Sequence, residues 1–470
     1  MRQDAEAWAE SEFRGTPGLN ARFQSRLVRT AAALAARPQG TLPQSLATWA
    51  ELKGAYRLVH AVSDPEAVQA VHRERTRERM AAVRTPLLVI HDTTQLDFSG
   101  HAAVADQLGP IGDGADCARG FLQHNSLVVD PAASHLLGLI HQQTFLRTPR
   151  PKGETRAARY QRADRESQVW TRGIEAVGRP PTGTQWIHVG DRGADFFGAM
   201  ATARRQNAHF LFRLAHNRKL HGPASDDDDP ATHLLDAARR VEAVTTATVE
   251  VAGRGGRPGR TAAVKLGAVR VAVRASRADP LWRAEPAVTL TVVRIWEENP
   301  PPDVEALEWV LGTDLEDDTA EALATYQSWY EWRWRTMEEY HKVQKTGCRI
   351  EDLRFETKVR LQTAVALVSV VAVRMLDLRW MRDACPDAPA TAVASAEEIR
   401  AVEAARPGKP IVTVRQFVDR VAGLGGYLGR KGDGPPGWQT LWRGYQRLAD
   451  ILLGCQLANP PQPAEIPNSG

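Results

Sequence analysis

The sequence predicts a mixed α/β fold with a helical region at each end, and two patterns lead to that prediction. From Pro86 onward, short apolar runs alternate with amphipathic helical segments, as is typical of a mixed sheet covered by helices on both faces. Residues 1–75 and the chain after 351 instead carry apolar residues at helical spacing. At 470 residues the chain is long for a single core, so two or three domains are expected.

The composition is that of an ordinary globular protein, with 43% hydrophobic and 25% charged residues. A net charge of +4, from 60 basic and 56 acidic residues, does not itself indicate nucleic-acid binding. The four cysteines have no C-x-x-C spacing, which argues against a disulfide framework or a zinc site. No uninterrupted apolar run approaches the roughly 18 residues that span a bilayer, and MRQDAEAWAE lacks a signal-peptide core. These features predict a cytosolic protein.

The first 75 residues are predicted to form a small helical bundle with one basic face. In LNARFQSRLVRTAAALAAR, the residues Arg22, Arg26 and Arg29 follow i, i+4, i+7 spacing and share a helix face. Taken alone, this stripe is more often a solvated helix surface, but it is also compatible with contacts to DNA phosphates.

The middle of the chain is predicted to alternate strands and helices. PLLVIHDTT is a strand, SLVVDPAASHLLGLIHQQTFLR a hairpin, RESQVWTRGIEAV a helix, QWIHVGD a buried strand, FFGAMATARRQ a helix and HFLFRL a strand. Residues 215–310 are predicted as a β-strand insertion, with the acidic run 226–229 and the glycine-rich tract 253–260 as loops. VRLQTAVALVSVVAVRMLDLRW is a long buried helix, a helical module follows residue 395, and the last dozen residues are predicted to be disordered.

Three acidic residues form the pattern of a two-metal phosphoryl-transfer site acting on DNA. Asp92 and Asp191 are each expected at a strand end, and Glu338 lies on a later basic helix, YEWRWRTMEEYHKVQK. Mg²⁺ prefers carboxylate oxygens, and two such ions about 4 Å apart stabilise both oxygens of an in-line displacement at phosphorus. An Asp at a strand end is also a common turn former or helix cap, so each residue alone leaves that alternative open.

Ten short sequence motifs are distributed in order over nearly the whole chain. They are WAESEF, RFQSRLVRTAAALA, LKGAYRLV, VIHDTTQLDFS, GLIHQQTFLR, VGDRGAD, LEWVLGT, RWRTMEEYHKVQKTG, VSVVAVRMLDLR and GLGGYLGRKGDGPPGWQTLWRGYQRL. In order and approximate spacing this set resembles the bacterial cut-and-paste DDE transposases of the Tn-five and insertion-sequence-four type. The resemblance is far more specific than any single Asp or Glu.

The resemblance implies an RNase H-like catalytic core at 76–375 that contains the β-strand insertion, with a helical DNA-binding domain at 1–75 and a helical dimerisation domain at 376–470. It implies two Mg²⁺ ions as cofactors, with Mn²⁺ able to substitute. The expected partners are double-stranded DNA, at transposon terminal repeats and at the target, and a second copy in a homodimeric synaptic complex. No membrane partner is expected, and the location is the bacterial cytoplasm at the nucleoid. The rival hypotheses are an RNase H-like nuclease without strand transfer and an inactive, domesticated DNA-binding protein.

The resemblance also implies roles for individual residues. Asp92, Asp191 and Glu338 match the catalytic, metal-binding DDE triad, and the DNA-contacting positions are Tyr330, Arg333, Lys345, Trp309, Arg213 and Lys342. Tyr330, Arg333, Glu338 and Lys345 make up the family's Y-R-E-K signature, and Arg213 and Lys342 fit more loosely. Trp309 matches a tryptophan that stacks on a base flipped out during hairpin formation, although it is equally compatible with strand core.

One spacing departs from the family pattern, because Arg333 and Glu338 are five residues apart where four is usual. On an α-helix, four residues place two side chains roughly 40° apart around the axis and five place them roughly 140° apart. Two explanations are open. A π-bulge absorbs the extra residue, or Arg335 takes the arginine role and Glu339 is then the alternative third ligand.

Overall fold

The computed structural model describes residues 5–112, 118–148, 151–220, 232–251, 253 and 259–458. The predicted loop at 226–229, most of the predicted loop at 253–260 and the predicted disordered tail lie outside the described residues. The chain divides into two compact units. The helical unit comprises Met1–Arg75, Phe98–Gln107 and Tyr340–Gly470, and the sheet unit comprises Thr76–Asp97 and Leu108–Glu339.

The α-helices, in chain order, are α1 (Ala5–Phe13), α2 (Ala21–Ala36), α3 (Leu42–Ser45), α4 (Trp49–Ala61), α5 (Ala70–Ala82), α6 (Arg156–Gln161), α7 (Gln168–Val177), α8 (Phe197–Arg205), α9 (Leu234–Arg239), α10 (Ala320–Arg333), α11 (Glu339–Lys342), α12 (Lys358–Ala384), α13 (Ala396–Ala405), α14 (Val414–Leu424) and α15 (Trp438–Ala458). The strands are β1 (Leu87–Asp97), β2 (Gly109–Ile111), β3 (Ala118–Asp130), β4 (His135–Phe145), β5 (Trp186–Gly190), β6 (His209–Arg213), β7 (Thr245–Val251), β8 (Arg260–Val273), β9 (Val288–Trp296) and β10 (Glu308–Thr313).

The sheet unit is built on one mixed ten-stranded sheet. Its central order is β4-β3-β1-β5-β6, in which β1 pairs antiparallel with β3 and parallel with β5, and β5 pairs parallel with β6. The predicted hairpin is present as β3 and β4. This is the RNase H-like arrangement, and the predicted fold class is confirmed. The predicted β insertion does not form a separate sheet, because β10, β9, β8 and β7 extend the same sheet beyond β6.

Helices on each side hold the central strands in place. All five residues of β5 are buried, as expected of a parallel strand that is covered on both faces. Side chains of α7 and α8, such as Ile174 and Met200, pack against Phe210 and Phe212 of β6 in one apolar core. The helix α10 begins at its N-cap Thr319, whose side chain accepts a hydrogen bond from the Ala322 N–H, and it packs on β1 and β5.

The helical unit has α12 as its central element. By length and composition α12 could span a membrane, contrary to the expectation that no segment would, but 83% of its most apolar window is buried inside the protein. Such burial suggests the core helix of a soluble protein. The helices α14 and α15 approach closely at Gly425 and Gly444, where an added Cβ would lie 1.8 Å from the Thr440 carbonyl oxygen and 2.0 Å from the Val421 carbonyl oxygen. Only glycine therefore fits at these two crossing points.

Candidate active site

Asp92 and Asp191 lie on neighbouring parallel strands and on the same face of the sheet. The pairing of β1 with β5 ends at Ile90 and Val189, two residues before each aspartate. Asp191 directly follows β5, as the sequence predicts. Asp92, by contrast, does not end its strand, because β1 continues to Asp97 while paired with β3. What ends near Asp92 is the pairing with β5, since the two strands diverge there.

Arg333, the last residue of α10, joins the two aspartates. Its Nη2 atom donates to Asp92 Oδ2 at 3.1 Å and to Asp191 Oδ2 at 3.4 Å. The Arg333 side chain is only 8% exposed, compared with 15% for Asp92 and 35% for Asp191. One guanidinium therefore faces two carboxylates, and the charge of Arg213 also acts on Asp191.

Burial raises the pKa of both carboxyl groups. For Asp92, the Arg333 charge and the backbone N–H of Thr93 oppose the increase in pKa that burial causes. For Asp191, the charge of Asp92 adds to the effect of burial and raises the pKa further, against Arg333 and the Gly193 N–H. The site therefore favours an additional positive charge next to the two carboxylates. A hard divalent cation with oxygen ligands fits this donor set.

The extra residue between Arg333 and Glu338 is absorbed by a π-helical turn over Trp334–Glu338. This is the first of the two explanations offered by the sequence. In a π-helix the hydrogen bonds run from i to i+5, so a five-residue spacing brings two side chains about one turn apart. Arg333 contacts the aspartates, whereas Arg335 is exposed and lies over the Trp332 ring at 4.5 Å.

The two candidates for the third acid follow Arg333 along the chain. Glu338 is exposed on the π-helical turn, which packs against β1, and Glu339 is partly buried. Among the described residues, no group of three or more His, Cys, Asp or Glu side chains is arranged to hold a metal ion. The structure thus brings together Asp92, Asp191 and Arg333. The assignment of Glu338 or Glu339 as third ligand stays a prediction.

Trp309, Tyr330 and Arg213 form a packed group beside the aspartates. The Trp309 ring is buried on β10 and meets the Tyr330 ring edge to face, with centroids 5.4 Å apart. Burial raises the pKa of Tyr330, and the nearby charges of Arg333 and Arg213 oppose that increase. Arg213 donates to the Glu308 carbonyl oxygen at 3.3 Å. Their proposed contacts with DNA remain predictions.

The sequence analysis missed a set of buried histidines on the opposite face of β1 and β5. His91 Nε2 and His188 Nδ1 share a hydrogen bond of 2.8 Å, and Ser126 Oγ lies 2.8 Å from His91 Nδ1. A Cβ added at Gly173 of α7 would lie 3.5 Å from His91 Nδ1, so the helix covers this group closely. Burial lowers the pKa of His188 to about 3 and that of His91 well below its usual value. Both rings are therefore neutral at physiological pH.

The predicted basic residues of the helical unit come from two parts of the chain, α2 and the region of α11. Arg22 and Arg26 are on α2, and burial together with the charges of Arg22 and Arg57 lowers the pKa of Arg26. Arg57 of α4 thus belongs to the same basic surface, although its distance along the sequence concealed this. Lys345 forms an ion pair with Glu351 at 3.3 Å. Lys342 is exposed at the end of α11.

Two family models match the chain outside the sheet unit. Residues 5–63 match a transposase DNA-binding domain, and residues 370–461 match the Tn5 transposase dimerisation domain. An RNase H-like sheet with paired carboxylates, accompanied by these two domains, defines a DNA transposase. The two matches support a Tn5-type transposase, as the resemblance implied. The two domains also support DNA as a partner and the formation of a homodimer.

Proposed function

We propose that this protein is a cut-and-paste DDE transposase that acts on the ends of its own element in the bacterial cytoplasm. The observation that carries the proposal is the placement of Asp92 and Asp191 around a single nitrogen atom of Arg333, at the edge of an RNase H-like sheet. Two acidic side chains on adjacent parallel strands, held at this spacing by one cation, are suited to phosphoryl transfer on DNA.

Asp92 and Asp191 would hold the divalent cations, with Glu338 as the third ligand. When bound, two Mg²⁺ ions would stabilise the attacking and leaving oxygens of an in-line displacement at phosphorus. Mn²⁺ carries the same charge and would substitute. Arg333 compensates part of the carboxylate charge in the free protein, and its guanidinium is of the right shape to bind a DNA phosphate by two hydrogen bonds. We infer that Arg333 exchanges a carboxylate for a phosphate when DNA binds.

The proposed reaction consists of successive displacements at phosphorus. Water first attacks at the transposon end, the P–O3′ bond breaks, and the freed 3′-OH carries the leaving proton. That 3′-OH then attacks the opposite strand, which releases the flanking DNA and closes a hairpin. A second water opens the hairpin, and the same 3′-OH finally attacks a phosphate of the target DNA. In a synaptic complex, two protomers would carry out these steps on paired ends.

One observation favours the rival hypothesis of an inactive DNA-binding protein. Within the described part of the chain no third acid joins Asp92 and Asp191, and Arg333 fills the space between them. The nuclease rival lacks comparable support, because a Tn5 dimerisation domain is matched at residues 370–461.

Incubation of the full-length protein with a duplex carrying the terminal inverted repeat, with Mg²⁺ and with EDTA, tests the proposal. The expected products with Mg²⁺ are nicked DNA, then hairpins, then strands joined to a target plasmid. Asp92→Asn and Asp191→Asn should each lower the nicking rate by roughly 10³-fold or more while end binding remains. Asp97→Asn, an exposed position on the same strand, is the control. Nicks without hairpins would indicate a nuclease, and end binding without any cleavage would indicate the inactive protein.

A further inference from the structure

Asp92 and Asp191 are each held through one of their two carboxylate oxygens. Asp92 Oδ1 accepts a hydrogen bond of 2.8 Å from the backbone N–H of Thr93, the residue that follows it. Asp191 Oδ1 accepts one of 2.8 Å from the backbone N–H of Gly193. In both aspartates the other oxygen, Oδ2, faces Arg333. The orientation of each carboxylate therefore depends on the backbone that supplies its N–H group.

The backbone around Asp191 lies against a buried tryptophan of α7. Trp170 is 5% exposed, and its indole ring approaches Gly190 and Gly193, the two glycines that flank Asp191. A Cβ added at Gly190 would lie 2.8 Å from Trp170 Cζ3, and one added at Gly193 would lie 2.9 Å from Trp170 Cζ2. These distances are too short for a real Cβ, so glycine is what lets the chain meet the ring at both positions. We call residues 191–195 the Asp191 turn, and the indole supports its first half.

The same indole is also linked to the strand that carries Asp92. The His124 ring of β3 packs edge to face on Trp170, with centroids 4.9 Å apart. His124 Nδ1 shares a hydrogen bond of 2.9 Å with the Thr93 hydroxyl group. Gly173, one turn after Trp170, keeps α7 close to this ring, because an added Cβ would lie 3.1 Å from His124 Nε2. Since the Thr93 N–H holds Asp92, a series of contacts runs from one aspartate to the other through Trp170.

The far end of the Asp191 turn is fixed independently. The Asp195 carboxylate is fully buried and accepts hydrogen bonds from the backbone N–H groups of Ala215 and His216, at 2.7 and 2.8 Å. These bonds attach the end of the turn to the loop after β6. With that end tied down, the position of the first half of the turn depends on its contact with Trp170.

We propose that Trp170 is a positioning residue that sets the separation and orientation of Asp92 and Asp191. It acts through Thr93 and Gly193, whose N–H groups hold the two carboxylates. The proposal rests on the proposed function only in taking a divalent cation as the occupant of the pair. Mg²⁺ demands near-ideal octahedral geometry, and loss of a residue that orients metal ligands typically weakens metal binding about 10–100-fold.

The test compares Trp170→Phe with Trp186→Phe in the full-length protein. Phenylalanine at 170 lacks the outer six-membered ring of the indole, which contains the atoms that meet the two glycines. Trp186 is the matched control, because it begins β5, is 4% exposed and belongs to a separate apolar core. Hydrogen exchange of the backbone amides at 190–196 is measured by mass spectrometry in EDTA. Mn²⁺ affinity is measured by electron paramagnetic resonance titration with the repeat duplex present.

Trp170→Phe should lose protection from exchange over 190–196 and bind Mn²⁺ about tenfold more weakly. Trp186→Phe should match the wild type in both measurements. The melting temperature should fall in both variants, because each loses buried apolar atoms. Equal changes in the two variants, unaltered exchange in Trp170→Phe, or lost protection with unaltered Mn²⁺ affinity would each overturn the proposal. If the wild type binds no Mn²⁺, the proposed function fails, and the exchange data still decide whether Trp170 holds the turn.

Gly193→Ala provides the reciprocal test of the contact. Alone, it should also weaken Mn²⁺ binding, because the added Cβ meets the indole at 2.9 Å. Combined with Trp170→Phe, the new methyl group gains space, so the double variant should bind Mn²⁺ more tightly than the two separate losses predict. The recovery is partial, since the same Cβ lies 3.0 Å from Asp191 Oδ1. Strictly additive losses would show that the ring and the turn act independently, and would overturn the proposal.

Discussion

The two faces of strands β1 and β5 carry different polar side chains, and burial raises the pKa values on one face and lowers them on the other. The acidic face carries Asp92 and Asp191 and is covered by α10, whereas the histidine face carries His91 and His188 and is covered by α7. On the acidic face burial raises the pKa values of the two carboxyl groups, and the positive charge of Arg333 opposes that increase. On the histidine face no charged side chain from the described residues contacts the His91–His188 pair, and its rings stay neutral.

The comparison shows how one pair of strands can be rigid and chemically active together. A neutral hydrogen bond between His91 and His188 links the strands immediately before they diverge, and it needs no compensating charge. The opposite face can then keep two carboxylates close together, although their mutual repulsion is unfavourable. We infer that the histidine face holds the spacing that the acidic face uses.

The largest expected effect concerns the third acid. Glu338→Gln should lower nicking by roughly 10³-fold or more, because the π-helical turn brings this residue about one turn from Arg333. Glu339→Gln, the neighbouring matched variant, should nick at nearly the normal rate. Single-turnover nicking of a repeat duplex measures both. If Glu339→Gln loses nicking and Glu338→Gln keeps it, Glu339 is the third ligand and not Glu338.

The next effect concerns the counter-charge on the acidic face. Arg333→Met should lower the free energy of unfolding by about 3 kcal/mol, because it removes the cation that the buried Asp92 and the partly buried Asp191 share. Adding Asp92→Asn to Arg333→Met should restore part of that loss, since one of the two charges is then removed. Urea denaturation measures the three free energies, and Arg335→Met on the exposed side of the same turn is the control. An equal decrease in the free energy of unfolding for Arg333→Met and Arg335→Met would contradict a specific role of Arg333 as the counter-charge on the acidic face.

Both the successes and the failures of the sequence analysis have physical reasons. Apolar periodicity located β5, β6, α7 and α12, because burial on one or both faces sets the residue pattern. Counting residues also identified the π-helical turn as one of two explanations. Asp92 was placed at a strand end because the apolar run stops there, yet β1 continues as a strand that is paired with β3.

Other features depend on residues that are distant in the sequence. The His91–His188 bond joins residues 97 positions apart, and neither histidine belongs to a motif with a recognisable spacing. A cleft next to Asp191 is lined by arginines from four segments of the chain, so only the fold brings their charges together. The net charge of only +4 for the whole chain gives no sign of this local concentration of basic residues.

A smaller effect is expected from the pH dependence of the histidine face. Unfolded His188 takes up a proton as the pH falls below about 6.5, whereas the folded residue, with its pKa lowered to about 3, does not. The stability contributed by this group is therefore complete above pH 6.5 and decreases as the pH falls toward 3. The free energy of unfolding should decrease by about 1.4 kcal/mol per pH unit for this residue. Urea denaturation between pH 7 and 5 should show a shallower dependence for His188→Gln. An unaltered slope in His188→Gln would contradict a neutral buried ring.

The smallest effect concerns Trp309, which packs beside the acidic face. Trp309→Ala should nick at close to the normal rate but accumulate nicked DNA, with hairpin formation slowed about tenfold because stacking on a flipped base is lost. Gel analysis of the time course separates the two steps, and the melting temperature reports damage to the fold. Equal loss of nicking and hairpin formation would indicate that the contact with Tyr330 makes Trp309 a core residue instead.

Direct measurement of metal binding tests the central claim, that Asp92 and Asp191 form a cation site. Electron paramagnetic resonance titration of Mn²⁺ into the full-length protein, with the repeat duplex present, should show bound ions in the wild type and in Asp97→Asn. The signal from bound Mn²⁺ should be lost in Asp92→Asn and in Asp191→Asn. Undiminished Mn²⁺ binding in both aspartate variants would contradict the account, because the acidic face would then not be where the cations lie.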